Sequence, residues 1–211
     1  MAYNIAKGEH FYSYYNVFLF SHSTLDSKKK NYKNKKSLNM KWFLLFLIIL
    51  FMGCKSNIEE KKWKEKVKMG DYYLENKDID NAIKYWVESL EFKKDLLTYE
   101  KVIGSLIIKN NFIEAKRYTI EGLTYFKNND NLIFNLGLLE FYLEEYDDSL
   151  KTMEKLIEKN RYYPNAHYIK GLIYEKKGEF EKAKKEFIQE VNIHPGSRKA
   201  WQKIKEMKNE K

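Results

Sequence analysis

Residues 164–195 read PNAHYIKGLIYEKKGEFEKAKKEFIQEVNIHP, and this stretch decides the fold. Apolar residues recur at helical spacing in two runs, and Gly178 interrupts the pattern between them. Small residues at Gly171 and Ala183 would let the two helix backbones approach closely. Pro195 ends the second run, because proline cannot continue a helix. The stretch therefore predicts two helices that face each other across a short turn.

The same turn recurs three times upstream. An apolar residue begins each second run, and these residues are 33, 34 and 34 positions apart. They are Ile79, Phe112, Tyr146 and Phe180. The small position of the first run is occupied in the four units by Gly70, Ile103, Gly137 and Gly171. The regular interval indicates four copies of one unit, of which the second departs most from the pattern.

These units resemble the tetratricopeptide repeat, a helix-turn-helix of about 34 residues. The resemblance implies an all-α fold, a right-handed superhelical solenoid of about four helix pairs plus a C-terminal capping helix. The implied repeats are 63–95, 96–129, 130–163 and 164–197, followed by the capping helix at 198–211. The packing positions that the resemblance implies are Gly70, Tyr73, Ala82, Trp86, Ala115, Gly137, Ser149, Gly171, Tyr174, Ala183, Phe187 and Pro195. In the capping helix, Ala200, Trp201, Ile204 and Met207 would form an apolar face and Lys203 would lie on the solvated side.

Charge is unevenly distributed along the 211 residues. The formal net charge is +9, but residues 1–53 carry +6 of it and the remaining residues only +3. Basic and acidic side chains alternate through the repeats, as on a solvated helical surface. No basic stripe that could follow a phosphate backbone is evident, so we predict no nucleic-acid partner.

The first 39 residues do not read as part of a fold. An aromatic run too short to span a membrane is followed by a basic, polar tract that cannot bury a core. Two interpretations stay open: residues 1–39 are an unusual leader, or translation begins at Met40. We favour the second, because the signal-like segment that begins at Met40 is complete without them.

Residues 40–53 read as a signal peptide. Lys41 supplies a positive charge, and 42–52 are eleven consecutive apolar residues, fewer than the roughly 20 that a membrane span needs. The segment ends just before Cys54, the only cysteine of the sequence, and with it resembles a bacterial lipoprotein signal of the relaxed, spirochaete-like kind. Phe51 and Met52 depart from the usual residues before the lipidated cysteine.

The lipoprotein resemblance implies that Cys54 is acylated and becomes the new amino terminus. It places the mature chain in a bacterial cell envelope, lipid-anchored on the periplasmic side or at the outer membrane. The alternative for Cys54 is an incidental or palmitoylated thiol at the end of an uncleaved anchor. Residues 54–62 would form a short tether and the start of a helix, holding the first repeat near the membrane.

The concave face of such a solenoid usually binds partners and is lined by the first helix of each repeat. Transferring the groove positions of the family to this chain gives a middle section that is apolar and aromatic, which suits a docked peptide. The implied partner-binding residues are Leu97, Ile107, Phe134, Leu138, Phe141, Tyr142, Tyr168 and Leu172. The alternative is that several of these side chains pack between helices. Val67 and Asp71 occupy the positions where related repeats clamp a C-terminal carboxylate, so chaperone tails are not predicted ligands.

Candidate catalytic chemistry is sparse. The two histidines after residue 53, His167 and His194, have no cysteine or carboxylate at metal-ligand or triad spacing, so we interpret both as structural. No phosphate-binding glycine loop occurs. We therefore predict no enzyme activity, no metal, no cofactor and no small-molecule substrate.

The predicted function is a membrane-anchored scaffold that binds a protein or peptide partner in the cell envelope through its concave groove. One alternative is a component of an outer-membrane protein assembly complex, which rests on architecture alone. A second alternative is a cytoplasm-facing, membrane-anchored adaptor.

Overall fold

The computed structural model describes residues 41–46 and 57–209, with side chains through residue 208. Residues 41–46 are helical and exposed. Cys54, the tether before residue 57 and the rest of the predicted signal peptide lie outside the described residues. Among the helices that are described, none is both long and apolar enough to cross a bilayer.

Between residues 57 and 209 the described chain consists of nine helices and contains no strand. The helices are α1 (57–75), α2 (Ile79–Leu90), α3 (Leu96–Ile108), α4 (Phe112–Tyr125), α5 (Asp130–Tyr142), α6 (Tyr146–Lys159), α7 (Ala166–Lys176), α8 (Phe180–Ile193) and α9 (Arg198–Asn209). From α2 to α9, each helix packs against the next, and α5 also contacts α7. The predicted all-α solenoid of four helix pairs and a last single helix is confirmed.

The four turns within the helix pairs share one backbone conformation. The residue two positions before each second helix is left-handed, with φ of 62° at Lys77, 57° at Asn110, 63° at Glu144 and 75° at Gly178. Glycine adopts this conformation without a steric penalty and asparagine tolerates it, whereas Lys77 and Glu144 are strained in it. In the first two pairs, the next residue accepts a backbone hydrogen bond with its side chain and so begins the second helix.

Close helix contact inside the pairs depends on the predicted glycines. A Cβ atom at Gly171 would lie 2.4 Å from the Phe187 ring, and one at Gly70 would lie 2.4 Å from Trp86. In the second pair the corresponding residue, Ile103, is fully buried. Gly104 beside it has open space where its Cβ would be, so it makes no such contact.

The core follows the helix stack in three consecutive clusters. The first joins α2 to α5 around Trp86 and Tyr99, the second joins α5 to α7 around Met153, and the third joins α8 and α9 around Phe187. Ion pairs one repeat apart link successive helix pairs, including Lys177 with Asp147 at 2.5 Å. Each pair therefore depends mainly on its immediate neighbours, as expected for a solenoid.

Three details differ from the sequence-based expectations. Trp201 is 53% exposed, because Ala200 and Ile204 already occupy the side of α9 that faces the core. Lys203 is largely covered and pairs with Glu175 at 2.9 Å instead of lying free in solvent. Pro195 is exposed two residues beyond the end of α8, so it terminates the helix but does not pack between helices.

Candidate functional site

A groove with a volume of about 660 Å³ lies between α5, α7 and the start of α9. Six of the eight predicted groove residues line it: Phe134, Leu138, Phe141, Tyr142, Tyr168 and Leu172. The other two, Leu97 and Ile107, lie on α3 outside this groove. Leu97 is 59% exposed, whereas Ile107 is half-buried against the first core cluster.

The groove floor is also part of the core. Leu138 and Phe141 are half-buried and pack against the cluster around Met153, while their remaining surface lines the groove. Tyr142 is 45% exposed, and its ring stacks on Phe112 with centroids 4.6 Å apart. The two alternatives for these side chains, groove and core, are thus both realised by the same residues.

Two tyrosines give the groove polar groups above its apolar floor. Burial raises the pKa of Tyr168, so its hydroxyl stays protonated and can donate a hydrogen bond. Neither the Tyr168 nor the Tyr142 hydroxyl has a hydrogen-bond partner within the described part of the chain. Both remain available to a ligand.

Six further residues line the groove, and of these the groove positions of the family give only Asn165, the second residue of the fourth repeat. The six are Asn165, Ile169, Gly196, Ser197, Arg198 and Lys199. Counting positions along the first helix of each repeat could not find the four residues at 196–199, because they precede or begin α9, which is outside the repeats. One signal was present: the first turn of α9 carries basic residues, where acidic ones are favoured by the helix dipole.

Glu190 supports one wall of the groove from behind. It is 1% exposed, and its carboxylate accepts hydrogen bonds from the backbone N–H groups of Asn165 at 3.0 Å and Tyr168 at 3.4 Å. Asn165 precedes α7 in a left-handed conformation and makes no side-chain cap of its own. Glu190 on α8 therefore caps α7 through the tertiary structure.

His167 belongs to a charged cluster behind the groove. Its Nδ1 lies 2.6 Å from Glu186 Oε2, and Lys170 Nζ lies 3.0 Å from Glu186 Oε1. Burial opposes ionisation of Glu186, but the hydrogen bonds from His167 and Lys170 outweigh it and lower its pKa. The cluster joins α7 to α8 and does not line the groove.

The remaining candidate positions have structural partners. His194 Nε2 lies 3.0 Å from the Tyr162 carbonyl oxygen. Asp71 accepts a hydrogen bond from Trp86 Nε1 at 3.0 Å and pairs with Lys101 at 2.5 Å. Within the described ranges, no three histidine, cysteine, aspartate or glutamate side chains are placed to hold a metal ion.

The predicted packing residues occupy the helix interfaces, apart from Pro195. Ala82, Trp86, Ala115, Ser149, Ala183 and Phe187 are fully buried. Gly137 lies against Met153, and its carbonyl accepts a hydrogen bond from Ser149 Oγ at 2.6 Å. Tyr73 stacks on Tyr85 with centroids 5.2 Å apart, and Tyr174 packs against the third core cluster.

Comparison with known proteins gives similarities in sequence and in fold. Residues 164–192 match the family model of the tetratricopeptide repeat. The search of curated proteins found no matching sequence. A crystal structure of MamA protein superposes with a TM-score of 0.62 at 22% identity, covering 69% of this chain and 80% of that chain.

Two other solved structures are similar. MamA from Desulfovibrio magneticus RS-1 has a TM-score of 0.61 at 19% identity, covering 68% of this chain and 81% of its own. YrrB, described as a TPR protein with an unusual peptide-binding site, has a TM-score of 0.54 at 18% identity, covering 66% and 72%. At such identities these likenesses show the fold alone. Together with the match at 164–192, they support a tetratricopeptide repeat protein.

Proposed function

We propose that this chain is a membrane-anchored scaffold that binds a segment of a partner protein in the groove between α5, α7 and α9. The observation that carries the proposal is the groove itself. Its floor of Leu138, Phe141 and Leu172 is apolar yet open to solvent, and two tyrosine hydroxyls beside it lack partners among the described residues. Its volume of about 660 Å³ is within the usual range of ligand sites.

A peptide is the ligand class that this groove suits best. Apolar pockets in a groove take alternate or helically spaced side chains, while polar groups at the edges orient the bound backbone. YrrB, which has the same fold, is described as having a peptide-binding site. A tetratricopeptide solenoid is an interaction scaffold, which agrees with the scarcity of reactive groups in this groove.

Site-specific photocrosslinking tests the groove. Tyr142 lines it and is 45% exposed, so a photoreactive phenylalanine analogue at this position would contact a bound segment. Tyr125 is the matched control, because it is 53% exposed, stacks on Tyr99 and lies outside the groove. In the native cell, we expect crosslinked protein adducts from position 142 and none from position 125.

The Leu138→Glu, Phe141→Glu double variant should remove the adduct at position 142. Because both side chains also pack against the core, circular dichroism must show unchanged helicity before the loss is interpreted. Equal crosslinking from positions 142 and 125, or none from either, would exclude a partner in this groove.

Anchoring through Cys54 is the second part of the proposal and rests on the sequence alone. Intact-mass measurement of the membrane-extracted native chain tests it, beside a Cys54→Ala variant. We expect a mature chain that begins at acylated Cys54, and a variant that keeps its signal peptide. An unacylated chain that retains 42–52 would contradict the lipoprotein proposal and favour the cytoplasm-facing adaptor.

A further inference from the structure

One end of the groove carries two free positive charges. Arg198 and Lys199, at the start of α9, line the groove, and both are exposed. Within the described part of the chain, neither side chain has an ion-pair or hydrogen-bond partner. No aspartate or glutamate is among the residues that line the groove. We call Arg198 and Lys199 the basic rim.

The rim residues differ from Lys203 on α9 and Lys170 on α7, which have acidic partners. Lys203, one turn further along α9, pairs with Glu175 at 2.9 Å, and Lys170 on α7 pairs with Glu186 at 3.0 Å. The charges of those lysines are therefore balanced inside the protein. The charges of Arg198 and Lys199 stay unbalanced beside the apolar floor, where they can pair with an incoming carboxylate.

We propose that the occupant of the groove is an apolar segment of a partner protein flanked by aspartate or glutamate side chains. Its apolar residues would contact Leu138 and Leu172, and its carboxylates would pair with the basic rim. This inference rests on the proposed function and adds the chemistry of the partner. Charge complementarity supports this inference, because the groove lining contains two unpaired basic side chains and no acidic residue.

The apolar N-terminal segment of this chain is a poorer match for the groove. Residues 42–52 contain no acidic side chain, and residues 1–53 carry a net charge of +6, the same sign as the rim. Like charges placed together disfavour binding. An acidic partner segment has the complementary sign.

Peptide selection on the full-length chain in detergent tests the inference. A random twelve-residue phage-displayed library is the first probe, and C-terminally amidated synthetic copies of the selected peptides are the second, measured by fluorescence anisotropy. We expect apolar sequences flanked by aspartate or glutamate, with affinity that falls as salt concentration rises. Amidation restricts the carboxylates to side chains.

The key variant is Arg198→Glu with Lys199→Glu. We expect it to weaken binding of the acidic peptides by about tenfold or more, and to select basic flanks from the library instead. Helicity should be retained, because acidic residues in the first turn of a helix are favoured by its dipole. The matched control is Lys205→Glu with Lys208→Glu, exposed positions on the same helix outside the groove, with an equal change in charge. We expect it to change affinity less than twofold.

The outcomes separate this inference from the proposed function. Peptides that lose binding in a Tyr142→Ala variant but show no acidic preference would overturn the inference and leave the groove as a binding site. Equal loss in the rim variant and the control would also overturn it, because only net charge would then matter. Selection of no groove-dependent peptide would overturn both.

Discussion

At Gly171 the two helices of the fourth pair approach until a single added carbon would collide with an aromatic ring. The ideal Cβ position lies 2.4 Å from Phe187, which is fully buried and cannot move into free space. The glycine at this residue is therefore required by packing. Gly104, also inside a helix, has no neighbour within 4 Å of its Cβ position and provides the comparison.

Gly171→Ala should destabilise the protein by about 1–3 kcal/mol, because the added methyl group overpacks the interface with Phe187. Gly104→Ala should stabilise it by about 0.5–1 kcal/mol, since alanine favours the helix and meets open space. Thermal unfolding followed by circular dichroism measures both. Equal effects of the two substitutions would contradict the close contact at Gly171.

Gly178 is required by backbone conformation and not by packing. Its φ is +75°, and nothing lies within 4 Å of its Cβ position. Gly178→Ala should therefore cost roughly 1–2 kcal/mol from left-handed strain alone. Gly196→Ala is the control, because Gly196 has equally open space but no positive φ. Urea unfolding should show a loss for the first substitution and no loss for the second.

At the scale of helices, the charges of two carboxylates have opposite effects on stability, each at a different helix interface. Glu140 on α5 is 7% exposed and accepts a hydrogen bond from Thr152 on α6 at 2.8 Å. Burial raises its pKa, and the hydrogen bond only partly offsets this. Glu186 on α8 has a lowered pKa, because His167 and Lys170 on α7 together outweigh its burial.

The opposite pKa shifts of Glu140 and Glu186 make the stability of the protein depend on pH in opposite ways. A raised pKa in the folded state contributes stability at low pH, which is lost as pH rises above the ordinary value of 4.5. A lowered pKa contributes stability above that value, which is lost as pH falls through the folded pKa. At neutral pH the Glu140 charge therefore opposes folding and the Glu186 charge supports it.

Glu140→Gln should raise the unfolding midpoint at pH 7, since glutamine removes the charge and can still accept from Thr152. Glu186→Gln should lower the free energy of unfolding by about 1–2 kcal/mol at pH 7, because it loses charge-assisted hydrogen bonds. The Glu140 difference should shrink as pH falls through the raised folded pKa towards 4.5, whereas the Glu186 difference should shrink as pH falls below 4.5 through the lowered folded pKa. Unfolding series from about pH 3 to about pH 8 measure them, and shifts of the same sign at pH 7 would contradict the opposing roles.

At the scale of the whole described solenoid, each helix pair is stabilised mainly by its contacts with the neighbouring pairs. Helix α9 closes the stack by placing Ala200 and Ile204 against the third core cluster, and its first residues close one end of the groove. A change in α9 should therefore affect the fourth helix pair directly and the first pair hardly at all.

Ile204→Ala should destabilise the fourth pair by about 2–4 kcal/mol, because the side chain is only 6% exposed. Hydrogen exchange should accelerate in α7 and α8 and stay unchanged in α2. Trp201→Ala is the control on the same helix, since Trp201 is 53% exposed and should produce a much smaller effect. Uniform acceleration along the chain would show that the solenoid unfolds as one unit and not pair by pair.

The sequence by itself determined the helix pairs, their period and the glycine contacts, because these depend on local spacing and on residue size. It also identified the groove lining on α5 and most of the lining at α7, since groove positions recur along each first helix. It also predicted Leu97 and Ile107 on α3 as groove residues, but they lie outside this groove, which spacing alone could not show. Whether a residue lies in the groove or in the core also depends on how the neighbouring helices are placed.

Only the tertiary structure decided the rest. Glu190 reaches back from α8 to cap α7 across 25 residues of chain, and the basic rim meets the groove because α9 packs beside α7 and α8. Local pattern cannot encode either contact, since each depends on the angle at which one helix lies on another. The left-handed turn residues Lys77 and Glu144 were equally hidden, because the packed helices on both sides impose a conformation that these side chains disfavour.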